Sequence, residues 1–278
     1  PIKGFLQIIE IAVVIILAIV VIASWMGQDP LVLLSGIGAF AALMSFVFKD
    51  TLLGFIAGIQ LSSNDMIRIG DWIEVPGQSI NGDVCDVSLI SVTINNFDNT
   101  TSTIPAYSLL TTPFKNWRKM SESGARRVMR SIHVDVSSVS FCTDDMLDEF
   151  AKIDLLTKYI MSKRDQGREP VERSYFDGEV ANQQHLTNLG VFRAYLEYYL
   201  KQRSDINQEM IMMVRQLESS NRGIPLQVYA FSTTSKWVDY EKVQADIFDH
   251  IYAIAPVFGL SVFQEIGGND LRQSTLEV

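Results

Sequence analysis

Histidines, cysteines and carboxylates are the side chains best suited to metal binding, proton transfer or nucleophilic attack, and in this sequence they do not converge. His133, His185 and His250 are distant from one another, and none has a second ligand at the spacing metal sites use. Cys85 and Cys142 are equally isolated, which gives neither a zinc motif nor an inferable disulfide, so a reducing setting is the default. Gly36, Gly38, Gly54 and Gly58 lie inside apolar runs rather than in a loop that could cradle a phosphate. No nucleophile elbow or kinase signature occurs. The expectation is a protein that is not an enzyme, with no metal and no cofactor. A net charge of −9 argues against nucleic acid, because phosphate recognition needs clustered Lys and Arg. The basic residues that do gather, Arg118, Lys119, Arg126, Arg127 and Arg130, read as a solvated face or a contact with lipid headgroups.

What remains to be explained is a strong asymmetry. Hydrophobic residues make up 47% of the chain and crowd into the first sixty positions, while acidic residues lie mostly downstream. Residues 5–26 are long enough to span a bilayer, and 11–22 are apolar on every side, for which lipid is the simplest solvent. Trp25 suits an interfacial anchor, and the polar turn at 27–30 is short enough only for a helical hairpin. The second span, 31–48, is studded with small residues: Ser35, Gly36, Gly38, Ala39, Ala41, Ala42 and Ser45. Glycine is costly in a helix unless close helix–helix approach repays it, and this stripe favours a helix packed against copies of itself in a ring. Lys49 and Asp50 end the uncharged run. Asp50 is a good N-cap, so a helix break is expected there, with 51–63 as an interfacial helix packed through Gly54 and Gly58. Lys3, Lys49 and Arg68 fall on one side of the membrane and the 27–30 turn on the other, which places the later part in the cytoplasm. The absence of an initiator Met and of a signal-peptide pattern suggests a start partway into a longer protein.

Residues 64–120 read as a small β-barrel or sandwich. A strand at 72–75 precedes a turn at Gly77, Asn81-Gly82-Asp83 is a hairpin signal, 84–97 is rich in β-branched residues, and Asp98-Asn99 makes the next turn. Residues 121–278 read as a second, α+β unit. A strand near 128–136 precedes a helix at 144–153; strands follow at 211–217 and 225–232, then a helix at 239–254 and a strand at 260–263. That order is βαββαβ, the ferredoxin-like arrangement. It is interrupted by an insertion over 155–208, in which 163–184 is polar enough for a loop and Phe192, Tyr195, Tyr198 and Tyr199 form the core face of a helix.

Several stretches carry a resemblance to a known family: LSGIGAFAALMSFVFKD at 34–50, GFIAGI at 54–59, IGDWIEV at 69–75 and Asn116-Trp117. They are similar to the MscS family of small-conductance mechanosensitive channels. Lys49-Asp50, GVFRAY at 190–195 and ADIFDH at 245–250 resemble its YbdG-like, miniconductance branch. The family's hinge glycine is replaced at Asp50, and its Ile-Pro-Asn is here Ile104-Pro105-Ala106. The resemblance implies a membrane α-helical part, an Sm-like β-barrel domain and a ferredoxin-like α+β domain, assembled as a homoheptamer in the bacterial inner membrane. It implies a channel opened by membrane tension that passes ions and small solutes on osmotic downshift, with membrane lipid as its partner. By position, 31–48 would line the pore, with Ala42 and Phe46 at its constrictions and Leu43 and Val47 as the fallback register. The alternative reading is a membrane-anchored scaffold whose cytoplasmic domain binds a partner.

Overall fold

The computed structural model describes residues 2–166 and 185–265. The chain divides into two compact units, Pro1–Arg118 and Lys119–Val278.

The first unit opens with α1 (Ile2–Trp25) and α2 (Pro30–Ser63). The turn between them needs a left-handed residue, supplied by Gly27 at φ +66°, and the Gln28 amide closes it by donating to the Ala23 carbonyl at 3.0 Å. Asp29 then caps α2, its carboxylate accepting from the Leu31 amide at 2.9 Å, and Pro30 occupies the first turn, where its missing N–H costs nothing. The helix runs unbroken for 34 residues, so the break expected at Lys49-Asp50 is absent and 31–48 and 51–63 are one element. The physical reason is local. Lysine is a good helix former, aspartate in a helix interior costs only tenths of a kcal/mol, and neither forbids the helical geometry as proline would. The helix ends at the Asn64 cap and at Asp65, which sits at φ +54° while the Met66 amide bonds back to the Leu61 carbonyl at 2.9 Å.

Strands β1 (Trp72–Val75), β2 (Ile80–Val87), β3 (Ser91–Asn96), β4 (Thr101–Pro105) and, after the short helix α3 (Ala106–Thr111), β5 (Lys115–Asn116) form one antiparallel sheet in the order β4-β3-β2-β1-β5. In hydrogen bonding this sheet is open, with β4 and β5 as its edges. Alternate residues such as Ile73, Val75, Val84, Val92 and Ile94 turn inward, and Ala57 and Leu61 of α2 and Leu109 of α3 complete that core. One local expectation changes. Asn81-Gly82-Asp83 is not a turn but lies inside β2. Gly82 is there because an added Cβ would sit 2.0 Å from the Asn95 carbonyl oxygen. The turn itself is at 76–79, with Gly77 at φ +82° and Ser79 at φ +55°. The run 84–97 is two strands, because the Ser88 amide bonds to the Ser91 carbonyl at 2.8 Å and folds a hairpin with neither Gly nor Pro.

The second unit begins at Lys119, within α4 (Arg118–Ser123), a helix that buries nothing. It contains β6 (Arg127–Val134), α5 (Asp144–Ala151), α6 (Asp154–Asp165), α7 (Asn188–Gln202), β7 (Met213–Gln216), β8 (Ile224–Phe231) and α8 (Trp237–Ile254). The sheet order is β6-β8-β7, all antiparallel. The last expected strand, 260–263, is reduced to a bridge between Val262 and Val134 on the free side of β6, which preserves the ferredoxin-like order. The expected insertion is partly core. Leu156 and Ile160, one turn apart on α6, are buried, as are Phe192, Leu196 and Leu200 on α7. Phe258 packs between Phe150 and Phe192 at ring separations of 5.0 and 5.1 Å. Of the loop expected at 163–184, residues 167–184 lie outside the described residues.

Candidate functional site

The candidate site is α2 with its anchorage. Both N-terminal helices are long and apolar enough to cross a membrane: the windows at Leu6–Trp25 and within Pro30–Ser63 have mean hydropathies of 3.0 and 2.3. Their apolar side chains are almost wholly uncovered within the chain, as expected of surfaces that meet lipid or other protein. On α2, Phe46 is 77% exposed. Ala42, one turn earlier, is exposed on the same face. Leu43 and Val47 are exposed as well, so a single chain does not choose between the two registers. Ala39, Ala41 and Ser45 are uncovered. Among the described residues nothing lies within 4 Å of a Cβ added at Gly36 or Gly38, so the close approach they permit is not used there.

Beyond Lys49 and Asp50, both exposed, α2 changes neighbours. Gly54, Ala57, Gly58 and Leu61 are buried. A Cβ at Gly58 would stand 2.1 Å from the Leu89 carbonyl oxygen, and one at Gly54 would stand 3.6 Å from the Ile90 Cβ. Gly58 therefore lets α2 dock on the β2–β3 hairpin, where sequence reasoning had placed an interfacial helix, while a Cβ at Gly54 would make only ordinary contact there. The exposed Leu89 and Ile90 of that hairpin, together with Gly58, Ser62, Arg68 and Ile69, line an open cleft of about 1010 Å³.

Just past the helix end lies a polar cluster that sequence reasoning missed. Arg118 Nε donates to Asp71 Oδ1 at 2.8 Å, and its Nη2 donates to Asp71 Oδ2, a two-pronged pair. Its Nη1 reaches the Asp65 main-chain oxygen at 3.1 Å and the Asp65 carboxylate at 3.2 Å. Asn116 Nδ2 donates to Asp71 at 2.9 Å and to the Met66 carbonyl at 3.0 Å, and the Arg68 amide donates to Asp71 at 2.8 Å. The Asp71 side chain is 6% exposed. Burial pushes its pKa up, but the hydrogen bonds from Arg118, Arg68 and Asn116 outweigh that and hold it below the usual carboxylate range. The hydrogen bond from Arg68, and then the charge of Arg118, likewise depress Asp65. The signal available in the sequence was a lone Asp before a strand and a lone Arg after one, which fixes no pairing.

The remaining basic residues do not form one solvated face. Arg126 lies over the Tyr240 ring at 4.3 Å, Arg130 over Phe248 at 4.8 Å and Arg127 over Tyr229 at 5.7 Å. Among the described residues no group of histidines, cysteines and carboxylates could hold a metal ion. Of the four aromatics expected on the core face of α7, Phe192 and Tyr195 are buried in the core, while Tyr198 and Tyr199 are only partly covered.

Residues 50–119, the end of α2 and the β sheet on which it docks, match the domain family described as "Mechanosensitive ion channel, beta-domain". The small-conductance mechanosensitive channel MscMJ of Methanocaldococcus jannaschii is 31% identical over 132 residues, 48% of this chain and 35% of that protein. Over these stretches the chain is similar to channels of the MscS family. Within MscS-family proteins, the low conductance mechanosensitive channel YnaI of Escherichia coli is 21% identical over 254 residues, covering 91% of this chain and 59% of the relative. The chain thus spans between about a third and three-fifths of the length of these two curated relatives. Among solved structures, the MscS-like fold is shared with Arabidopsis thaliana MSL1 at a TM-score of 0.60, 12% identity and coverage of 95% and 77%. Helicobacter pylori MscS, described as closed, gives 0.53 at 14% identity, covering 94% and 81%.

Proposed function

We propose that this chain is a subunit of a mechanosensitive ion channel, opened by membrane tension to release ions and small solutes on osmotic downshift. The observation that carries the proposal is the dual character of α2. Its first part is apolar and uncovered, and its last part is docked on a β unit of the mechanosensitive-channel family. Small residues at Gly36, Gly38, Ala39, Ala41 and Ser45 supply a surface on which identical helices pack, and the pore is lined by 31–48 within a homoheptamer. Rings of Ala42 and Phe46 close it by dewetting, which needs neither bolt nor charge. Lys49 and Asp50 stand where the apolar stretch of α2 gives way to the docked one, at the cytoplasmic mouth. The assembly lies in a bacterial inner membrane, with residues 1–63 membrane-associated and both 64–120 and 121–278 cytoplasmic. Tension does work in proportion to in-plane area, so it shifts the population towards the wider state, and α1 carries the pull from lipid. Purified protein in liposomes is expected to give single-channel currents evoked by suction. Silent patches containing assembled protein would refute the channel reading.

A further inference from the structure

We infer that Arg118 is a positioning residue that ties the cytoplasmic end of α2 to the β unit and thereby sets the tension at which the pore opens; the inference rests on the channel reading. Two kinds of contact hold this end of the helix. The first is the apolar dock of Gly54, Ala57, Gly58 and Leu61, which buries surface without fixing direction. The second is ionic and directional. One guanidinium, 19% exposed, grips the Asp71 carboxylate beside β1 with two prongs, and with its third nitrogen holds both the main-chain oxygen and the carboxylate of Asp65. Asp65 directly follows the Asn64 cap of α2, at φ +54°, a conformation in which glycine would be less strained. At that strained position its carboxylate pairs with both Arg68 and Arg118. Asn116 adds a second tether, bridging Asp71 and the Met66 carbonyl just past the helix end. Tilting α2 to widen a pore rotates its end against β1 and has to distort the Arg118 fork, whose planar geometry tolerates little change. The tie therefore opposes opening, and its loss shifts gating to lower tension.

The test uses the full chain in liposomes, in a Cys85→Ser background. Arg118→Gln removes the charge and Arg118→Lys keeps it while removing the fork; the lysine variant carries the same readout if the glutamine variant does not assemble. Both are expected to open at lower tension than the parent. Each is then combined with Gly54→Cys and Ile90→Cys, whose Cβ separation of 3.6 Å lies within the roughly 3.5–4.5 Å that a disulfide spans. Oxidation re-pins the helix to the hairpin by another route and is expected to return the threshold towards the parental value, with reduction reversing it. A residue needed only for folding would not be rescued in this way. Assembled Arg118 variants with unchanged thresholds, or a lowered threshold that the cross-link leaves unmoved, would overturn the inference. Absence of tension-evoked current in the parent would instead remove the channel reading itself.

Discussion

His250 lies against two tyrosines of α7, with Nε2 2.7 Å from the Tyr195 hydroxyl and its ring stacked on Tyr199 at 4.1 Å. Arg203, paired with Asp205, donates to the Tyr199 hydroxyl from the same side. Burial, and then the positive charge of Arg203, hold the His250 imidazole below its ordinary value, while burial pushes the Tyr195 hydroxyl up. The sign follows directly. The unfolded chain binds this proton more readily than the folded one, so the contribution to stability is intact above about pH 6.5 and is lost as pH falls from there through the depressed folded value. Thermal melts between pH 7.5 and 5 are expected to show a loss that His250→Phe flattens; parallel curves for parent and variant would contradict it. Phe46 poses a different question, because its side chain is 77% exposed. If it forms the dewetted ring, Phe46→Ser hydrates the constriction and lowers the opening tension in patch recordings. An unchanged threshold in assembled mutant protein would move the gate to Leu43 and Val47.

At the scale of the element, α2 is the informative object. Its polarity and its small-residue stripe were legible in the sequence, but its continuity was not. A charged pair after an apolar run looks like a boundary, yet neither residue forbids helix, and the part beyond it is buried against the β sheet through Ala57 and Leu61. Gly58 illustrates the point. In the sequence it resembles a membrane packing glycine, whereas in the fold it admits the Leu89 backbone, where even a methyl group has no room. Gly58→Ala is therefore expected to destabilise the dock by about 1–3 kcal/mol, since backbone rather than a flexible side chain must give way. Gly36→Ala, with open space around it in the chain, is expected to leave the fold of the isolated subunit intact. A Gly58→Ala protein that melts with the parent would show that the hairpin can retreat.

For the whole molecule, α1 and α2 leave many large apolar side chains exposed, and the channel reading assigns their cover to lipid and to neighbouring subunits. Native mass measurement in detergent is expected to give seven subunits; a monomer would leave an anchor as the simpler account of the two helices. The sequence by itself determined the properties that are one-dimensional. Apolar length marked the membrane helices, alternation of polarity marked the strands, and the order of elements marked the β unit and the ferredoxin-like unit after it. The tertiary structure alone decided the joining of distant groups: Gly82 against Asn95, α2 against the 88–90 turn, and Arg118 between Asp65 and Asp71. The reason is physical. Helix and strand preferences act over a few neighbouring residues, whereas a steric clash with a carbonyl or a shared carboxylate depends on which backbones the packed core brings together.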